Sequence, residues 1–248
     1  MFVVANVDER KNDYHILSYG GGVNSVALLL HLLENEKPLD AVIFADTGGE
    51  VPDTYEYINP IKTILKEENI PFIYVQAKND NLYQRCKRRR VIPSQIWRWC
   101  TRDLKIRPIF AYYRSLKTNV NQYLGISYEE KRRVKESGVK YVNSIFPLVD
   151  EKIRRSDCLD IIHDAKMNIP SRSGCFFCPF NSVSRWTEIY KKYNDLFMEA
   201  LDLEESSKHY PRQRLIKFTL RTFKTMVDDH EELPNIIIDR PCGSECII

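Results

Sequence analysis

The stretch Ser18-Tyr19-Gly20-Gly21-Gly22-Val23-Asn24-Ser25, which lies between two apolar runs, has the residue types of an anion-binding turn. Three consecutive glycines let the backbone turn sharply and expose its N–H groups. Asn24 and Ser25 stand where the next helix is expected to begin, and both residue types are good N-caps. Because a helix N-terminus attracts phosphate, the stretch predicts a strand, an anion-binding turn and a helix. It is not a Walker A loop, since no Gly-Lys-Ser/Thr follows.

A glycine cluster alone also fits an ordinary strand-to-helix turn. A second segment makes a ligand site the favoured interpretation. The apolar run Leu39–Ala45 predicts a buried strand, and the polar residues Asp46-Thr47-Gly48-Gly49-Glu50 follow it directly. Open α/β sheets bind their ligands at the carboxyl ends of parallel strands. The two segments together therefore favour a ligand site at one edge of a sheet.

Cysteine supplies a second kind of chemistry. The chain has seven cysteines in 248 residues, and no export signal is visible, so metal binding or thiol chemistry is favoured over disulfides. Cys175 and Cys178 can reach one metal from a single turn, which suits zinc or an iron–sulfur cluster, and such a pair can also be a redox dithiol. A four-thiolate site needs further ligands. The remaining candidates are Cys86, Cys100, Cys158, Cys242 and Cys246.

Three features allow two interpretations each. Cys86 lies among basic residues and is expected to be exposed, either as an incidental residue or as a thiol whose pKa these charges lower. The basic run from Arg85 to Arg90 fits a solvated loop or a loop that contacts phosphate or nucleic acid. Trp97 and Trp99 flank Arg98, and they either stack on a base or pack beneath a neighbouring cluster.

The chain resembles a known superfamily at these motifs. Gly20–Ser25 is similar to the PP-loop, Ser-Gly-Gly-x-Asp-Ser, of the ATP pyrophosphatases and the phosphoadenylyl-sulfate (PAPS) reductases, with Gly20 at its serine and Asn24 at its aspartate. Trp99–Pro108 resembles the Trp-Cys-Thr…Leu-Lys…Pro segment of PAPS-reductase-like sulfurtransferases. Ser173–Phe180 resembles the cysteine pair of the DNA-phosphorothioation family within that group.

The resemblance implies a set of site residues. Ser18 would supply the hydroxyl displaced from the loop, Arg133 would lie over the nucleotide, and Cys158 resembles a cysteine that precedes the pair in related proteins. The implied ATP- and Mg²⁺-binding residues are Ser18, Gly20, Gly21, Gly22, Val23, Asn24, Ser25, Asp46, Thr47 and Arg133, of which Asn24, Ser25 and Asp46 are the catalytic candidates. The implied ligands of a [4Fe–4S] cluster, or alternatively of Zn²⁺, are Cys100, Cys158, Cys175 and Cys178.

The resemblance also implies a function. The enzyme would bind ATP or a related adenine nucleotide, activate an acceptor by adenylylation with pyrophosphate release, and couple this step to sulfur transfer. One alternative is a PAPS or adenylyl-sulfate reductase, and another is a nucleotide- or nucleic-acid-binding protein with a structural zinc. The implied partners are an adenine nucleotide, a DNA or tRNA substrate and a sulfur donor such as a cysteine desulfurase. No signal peptide and no membrane-length apolar stretch is visible, so a cytoplasmic location is expected.

A mostly parallel sheet must position these residues, because short β-rich runs alternate with helical stretches in the first half of the chain. The predicted class is α/β, a doubly wound sheet that the resemblance makes adenine nucleotide alpha-hydrolase-like. Residues 1–150 are predicted to form the nucleotide-binding domain and residues 151–248 a mostly helical, cysteine-containing subdomain. Residues 79–93 are predicted to be a loop or a lid. The predicted strands are 14–18, 41–45, 72–76 and 121–125, and the predicted helices are 25–34, 54–68, 186–203 and 215–227.

Overall fold

A five-stranded sheet forms the centre of the computed structural model, which describes residues 13–77, 81–207, 215 and 219–229. The strand order is β3-β2-β1-β4-β5, and the ladders between the described strands are all parallel. β1 therefore pairs with β2 on one side and β4 on the other, which makes its carboxyl end the switch point of the sheet. The strands are β1 (Asp13–Ser18), β2 (Ala41–Ala45), β3 (Phe72–Val75), β4 (Asn119–Leu124) and β5 (Val142–Ile145).

Helices connect the strands and continue beyond the sheet, as the predicted doubly wound α/β class requires, and that class is confirmed. None of the helices within the described ranges is both long and apolar enough to cross a membrane. The helical elements are α1 (Val23–Glu34), α2 (Pro52–Glu67), α3 (Leu82–Arg89), a π-helical segment (Thr101–Ile106), α4 (Arg107–Ser115), a 3₁₀ segment (Tyr128–Arg133), α5 (Pro147–Asp150), α6 (Arg155–Asp164), α7 (Val183–Lys192), α8 (Asn194–Ser206) and α9 (Leu220–Asp228).

Both faces of the sheet are covered at its centre, which explains why β2 is a continuous apolar run that is buried along its whole length. Ile16 and Leu17 are neighbours in β1 and are both fully buried, but they belong to opposite clusters because side chains alternate along a strand. Leu17 packs with residues of α1, α2 and α6. Ile16 packs with residues of α4, including Tyr113.

A third cluster, here called the helical cluster, holds the last helices together around the fully buried Trp186. The described helices after residue 150 pack in part on the first half of the chain, and the predicted division at residue 150 stays a prediction. Helix α6 packs on α1, while α3 and the π-helical segment contribute to the helical cluster. The buried members of the helical cluster include Leu82, Cys86, Trp99, Leu104, Phe176, Phe177, Trp186, Ile189, Phe197, Leu201 and Phe223.

Three predicted elements differ from the structure. The predicted loop 79–93 contains α3, and residues 78–80 lie outside the described ranges. The predicted helix 186–203 is interrupted at Tyr193, whose hydroxyl donates to Asp53 in the first turn of α2, while Lys192 Nζ lies 2.7 Å from the same carboxylate. The predicted helix 215–227 begins only at Leu220, with residues 216–218 outside the described ranges. The four predicted strands are confirmed, and β5 was not predicted.

Candidate active site

The glycine turn joins β1 to α1 at the switch point of the sheet. Gly21 has a φ of +74°, which favours glycine, and a Cβ there would lie 2.9 Å from Thr54 Cγ2. Gly22 is the N-cap of α1, and no side chain in the described part of the chain caps the helix. The predicted caps, Asn24 and Ser25, lie instead in the first turn, where Ser25 Oγ donates to Gly22 O at 2.8 Å. With no capping side chain, the N-terminus of α1 meets the condition for an anion site.

Asn24 links the first turn of α1 to two distant segments. Its Nδ2 donates to Glu130 Oε2 in the 3₁₀ segment at 2.9 Å, and its Oδ1 accepts from Arg155 Nη1 of α6 at 3.0 Å. An aspartate at this position would bring two carboxylates together at hydrogen-bonding distance. The contact with Glu130 therefore gives a physical reason for an amide where the PP-loop pattern has an acid.

Arg133 has the donors that an anion needs. Its side chain is largely buried, and its Nη1 donates to Glu130. The Nε and Nη2 atoms are buried and have no hydrogen-bond partner among the residues that the structure describes. Because a buried guanidinium donor without a partner is costly, these two atoms fit a negatively charged group such as phosphate.

The other polar residues predicted from the loop and from β2 are already engaged. Ser18 Oγ is buried, accepts from Gln122 Nε2 at 2.7 Å and lies 3.3 Å from the hydroxyl of Tyr113. Asp46 is partly exposed at the carboxyl end of β2. Its Oδ1 accepts from Gly48 N at 2.8 Å and from Tyr55 at 2.7 Å, whereas its Oδ2 accepts from Gln76 at 2.6 Å. Asp46 thus keeps a lone pair on Oδ2 for a cation, while Ser18 is bonded within the sheet.

Burial and the hydrogen bond to Asp46 raise the pKa of Tyr55, so that its hydroxyl stays protonated. Thr47 is buried beside Asp46, where its Oγ1 accepts from Gly49 N at 3.2 Å. These bonds fix the polar loop that follows β2, because each of them ties a side chain to the backbone or to α2.

The cysteine pair lies directly against this loop. Phe176 N donates to Gly49 O at 2.9 Å, and Val51 N donates to Gly174 O at 3.3 Å, so that the segment containing Cys175 runs antiparallel to the loop. A Cβ added at Gly49 would lie 3.3 Å from Cys175 Sγ. Two residues earlier, the hydroxyl of Ser173 lies 2.8 Å from the place of a Cβ at Gly22. The glycine turn and the cysteine motif thus form one site.

Three of the cysteines share the helical cluster. Cys86 is fully buried there, which corrects the prediction that it is exposed, and Cys100 and Cys175 pack against the cluster. Burial, the charge of Glu50 and the neighbouring thiols raise the pKa of Cys175. Cys178 follows in the same turn, with its N–H donating to Cys175 O at 3.1 Å.

Cys158, predicted as the fourth ligand, lies elsewhere. It is fully buried in α6, within the cluster formed with α1 and α2, and burial raises its thiol pKa to about 12. Cys242 and Cys246, the other candidates, lie outside the described residues. Within the described ranges, no group of three or more His, Cys, Asp or Glu side chains is arranged as a metal site. The ligand set that the resemblance implies therefore stays a prediction.

A buried carboxylate stands beside the thiols. The side chain of Glu50 is 2% exposed, its Oε1 lies 3.3 Å from Lys105 Nζ of the π-helical segment, and its Oε2 is buried with no hydrogen-bond partner in the described part of the chain. An unpaired buried carboxylate oxygen is unfavourable unless a cation or donor reaches it. This orphaned oxygen and the nearby soft thiols fit a metal-containing group at this place.

Residues 14–149, more than half of the chain, match the family described as the phosphoadenosine phosphosulfate reductase domain. The chain belongs to this family. The predicted resemblance to the PAPS-reductase superfamily is thereby confirmed, and the resemblance of Ser173–Phe180 to the DNA-phosphorothioation family stays a prediction. The matched region of the chain ends at Val149, before the cysteine pair and most of the helical cluster.

Two uncharacterized proteins of Methanocaldococcus jannaschii are similar to this member of the family. One is 26% identical over 199 residues, covering 74% of this chain and 46% of the relative. The other is 22% identical over 244 residues, covering 89% and 48%, respectively. The chain thus spans about half the length of these curated relatives.

Solved structures similar to this chain include two enzymes. PAPS reductase from Candida auris, in a phosphate complex, is 16% identical with a TM-score of 0.43, covering 64% of this chain and 75% of that one. The U34-tRNA thiolase NcsA from Methanococcus maripaludis, with its [4Fe–4S] cluster, is 15% identical with a TM-score of 0.45, covering 81% and 73%.

The sequence analysis missed several residues of this candidate site. Glu50 belongs to the polar segment after β2, so its position was a usable signal, although no role was assigned to it. Glu130 and Arg155 contact Asn24 from more than 100 residues away, and Ser173 contacts the glycine turn from a similar separation. No local pattern signals such contacts, because only the folded chain brings these segments together.

Proposed function

We propose that this chain is a PP-loop enzyme that activates an acceptor with ATP and couples the activation to sulfur transfer. The observation that carries the proposal is the backbone pairing between Gly49–Val51 and Gly174–Phe176. It sets Cys175 beside the loop that follows β2, next to the turn that begins α1. A phosphate at this turn and a sulfur atom at Cys175 would therefore share one crevice.

The proposed first step is adenylylation. An oxygen of the acceptor attacks the α-phosphorus of ATP, the bond from that phosphorus to the α,β-bridging oxygen breaks, and pyrophosphate leaves. The N-terminus of α1 and the two donors of Arg133 that have no partner among the described residues stabilise the charge that develops on pyrophosphate. Asp46 is the proposed ligand of Mg²⁺, which when bound neutralises the phosphates. Asn24 and Ser25 act by holding the first turn of α1 in place.

The proposed second step is displacement of AMP by sulfur. A sulfide from a donor attacks the activated carbon, the carbon–oxygen bond breaks, and AMP leaves with the bonding electrons. Cys100, Cys175 and Cys178 are three of the proposed ligands of a [4Fe–4S] cluster, which when bound would supply iron–sulfur chemistry beside the turn that begins α1. Cys86 is supported as the fourth ligand over Cys158, since Cys86 shares the helical cluster with Cys100 and Cys175.

A sulfonucleotide reductase is the second candidate, and the match to the phosphoadenosine phosphosulfate reductase domain favours it. In that reaction a cysteine thiolate attacks the sulfur of the sulfonucleotide, the bond from that sulfur to the phosphate oxygen breaks, and the nucleotide phosphate leaves. A second thiol then attacks the cysteine sulfur, which releases sulfite and leaves a disulfide. The chain would need a nucleophilic cysteine beyond the proposed ligands. Cys246 is the candidate that lies outside the described residues, while the buried position of Cys86 makes it a poor nucleophile.

The test uses anaerobically purified full-length protein with ATP·Mg²⁺ or PAPS, sulfide as donor and bulk tRNA as acceptor. Adenylylation predicts pyrophosphate release from ATP and no sulfite from PAPS; sulfite release would establish the reductase instead. Arg133→Gln is expected to weaken ATP binding about 10- to 100-fold, the usual effect of losing hydrogen bonds to a charged group. Arg132→Gln, which removes an exposed charge from the neighbouring position, is the matched control and should bind ATP normally. Equal losses in the two variants would contradict the assigned role of Arg133.

Metal analysis separates the remaining alternatives. A brown protein with about four irons per chain, bleached in Cys175→Ser, supports the cluster. A colourless protein with one zinc would favour a structural metal, and iron-dependent sulfur transfer would then be rejected.

A further inference from the structure

An exposed turn stands beside the cysteine motif. This turn, here called the Trp97 loop, comprises residues 91–98. It is closed by hydrogen bonds from Trp97 N to Ser94 Oγ at 3.0 Å and from Ser94 N to Trp97 O at 3.2 Å. Gln95 Nε2 donates to Pro179 O at 2.9 Å, and the guanidinium of Arg98 lies 4.9 Å from the centroid of the Phe180 ring. These contacts hold the Trp97 loop against the residues that follow Cys178.

The tip of the Trp97 loop carries two large apolar side chains in solvent. Ile96 is 96% exposed and Trp97 is 54% exposed, whereas the other two tryptophans of the chain, Trp99 and Trp186, are buried. The structure thus separates the two interpretations of the tryptophan pair: Trp99 packs in the helical cluster, and Trp97 is available to a partner. A tryptophan held on a closed turn offers a flat surface on which a base can stack at small entropic cost.

Basic residues flank this tip in the sequence. From Asn81 to Arg102 the sequence contains seven Arg and Lys residues and no Asp or Glu, in a chain whose net charge is only +3. The acidic groups that face this segment include Asp103, which contacts Arg85, Arg102 and Arg107, and Asp202, which lies 3.9 Å from Lys87. Arg89 and Arg90, at the end of α3 and directly before the Trp97 loop, are both exposed.

We propose that the Trp97 loop and the end of α3 bind an unpaired segment of RNA, with a base stacked on Trp97 and phosphates contacting Arg89 and Arg90. An aromatic surface flanked by arginines suits single-stranded nucleic acid, because every base offers a π-face and every nucleotide a phosphate. Folded RNA presents unpaired bases in its loops, whereas duplex DNA keeps its bases stacked in the helix. The surface adjoins Cys178, so the bound RNA is the acceptor; this last assignment rests on the proposed function, but the binding does not.

The test measures the binding of a fluorescein-labelled single-stranded RNA of about twelve nucleotides to the full chain by anisotropy, at several salt concentrations. Trp97→Ala is expected to weaken binding about 10- to 100-fold, because it removes the ring on which one base stacks. Trp97→Phe should recover most of the affinity. The intrinsic fluorescence of the wild-type protein should be quenched by RNA, since Trp97 is its exposed tryptophan.

Charge variants test the binding of phosphate. Arg89→Gln with Arg90→Gln should lower the slope of log affinity against log salt by about two, because each arginine is expected to neutralise one phosphate. Arg114→Gln with Lys117→Gln removes the same charge from exposed positions at the other end of the strands and should leave the slope unchanged. The proposal is overturned if RNA does not bind at low salt, if Trp97→Ala binds like the wild type, or if duplex RNA or single-stranded DNA binds more tightly than the RNA.

ATP binding distinguishes failure of this inference from failure of the proposed function. Trp97→Ala should bind ATP·Mg²⁺ as the wild type does, because the exposed Trp97 side chain is not among the residues described in contact with the glycine turn. RNA binding with the expected pattern but without ATP binding would reject the proposed enzyme and leave the RNA surface standing. ATP binding without RNA binding would reject the RNA surface and leave the proposed enzyme standing.

Discussion

Replacing Asn24 by aspartate restores the usual PP-loop residue, yet the structure predicts that the change destabilises the protein. The amide donates to Glu130 Oε2 at 2.9 Å, so Asn24→Asp substitutes a second negative charge at that distance. Two unit charges this close repel each other by roughly 1.4 kcal/mol at the dielectric constant of water and about 6 kcal/mol at an effective value of 20. Arg155, 3.0 Å from Asn24 Oδ1, offsets part of this repulsion. We expect a net loss of about 2 kcal/mol at neutral pH, between these limits.

Thermal unfolding followed by circular dichroism measures this loss. About 2 kcal/mol corresponds to a fall in Tm of roughly 4–8 °C for a chain of this size. The neighbouring charge of Glu130 should raise the pKa of the introduced carboxyl above its unfolded value. The deficit should therefore be complete above that raised pKa and should disappear as the pH falls towards the ordinary carboxyl pKa of about 4.

The double variant is the decisive control. In Asn24→Asp with Glu130→Gln, the new amide can donate to the new carboxylate, so most of the missing stability should return. If Asn24→Asp lowers Tm equally with Glu130 and with Gln at position 130, or does not lower it at all, the contact with Glu130 does not explain the residue at this position.

Two further predictions concern the thiols and the wall of the crevice. Cys86→Ser should abolish the iron content and the visible absorption of the anaerobic protein. Cys158→Ser should keep both, but it should lose about 1–3 kcal/mol of stability because it buries a hydroxyl. The opposite pattern of iron content would assign the fourth ligand to Cys158. Gly125→Ala should weaken ATP binding severalfold in calorimetric titration, because its Cβ would lie 3.0 Å from the backbone of Asn24 and displace the first turn of α1. Unchanged affinity would show that the first turn of α1 can move without affecting ATP binding.

The sequence predicted the centre of the fold well because β2 is an apolar run buried along its whole length and β1 and β3 each contain a shorter one. It missed β5, whose four residues Val142-Asn143-Ser144-Ile145 have two polar residues in the middle. It also missed α3, where basic residues hide the spacing of Leu82 and Cys86, which are four residues apart and both buried. That helix is capped by Asn81, whose Oδ1 accepts from Gln84 N at 2.8 Å.

The candidate site was only partly predictable for a related reason. The glycine turn, the segment after β2 and the cysteine pair are local patterns, and each was found. Their mutual arrangement depends on which segments meet in the folded chain, such as Ser173 with the glycine turn. The burial of Cys86 also depends on packing in the helical cluster, and its charged neighbours suggested the opposite.

The pairing of Gly49–Val51 with Gly174–Phe176 has a thermodynamic consequence. The segment that follows β2 and the segment that carries Cys175 share backbone hydrogen bonds, so neither can shift without disturbing the other. On the proposed function, a nucleotide that repositions the first segment would change the free energy of occupying the thiols. Linkage is reciprocal, so occupation of the thiols would change nucleotide affinity by the same factor. The segment after β2 and the thiols are therefore expected to report on each other's ligand, and sulfur loading would change the affinity for the nucleotide.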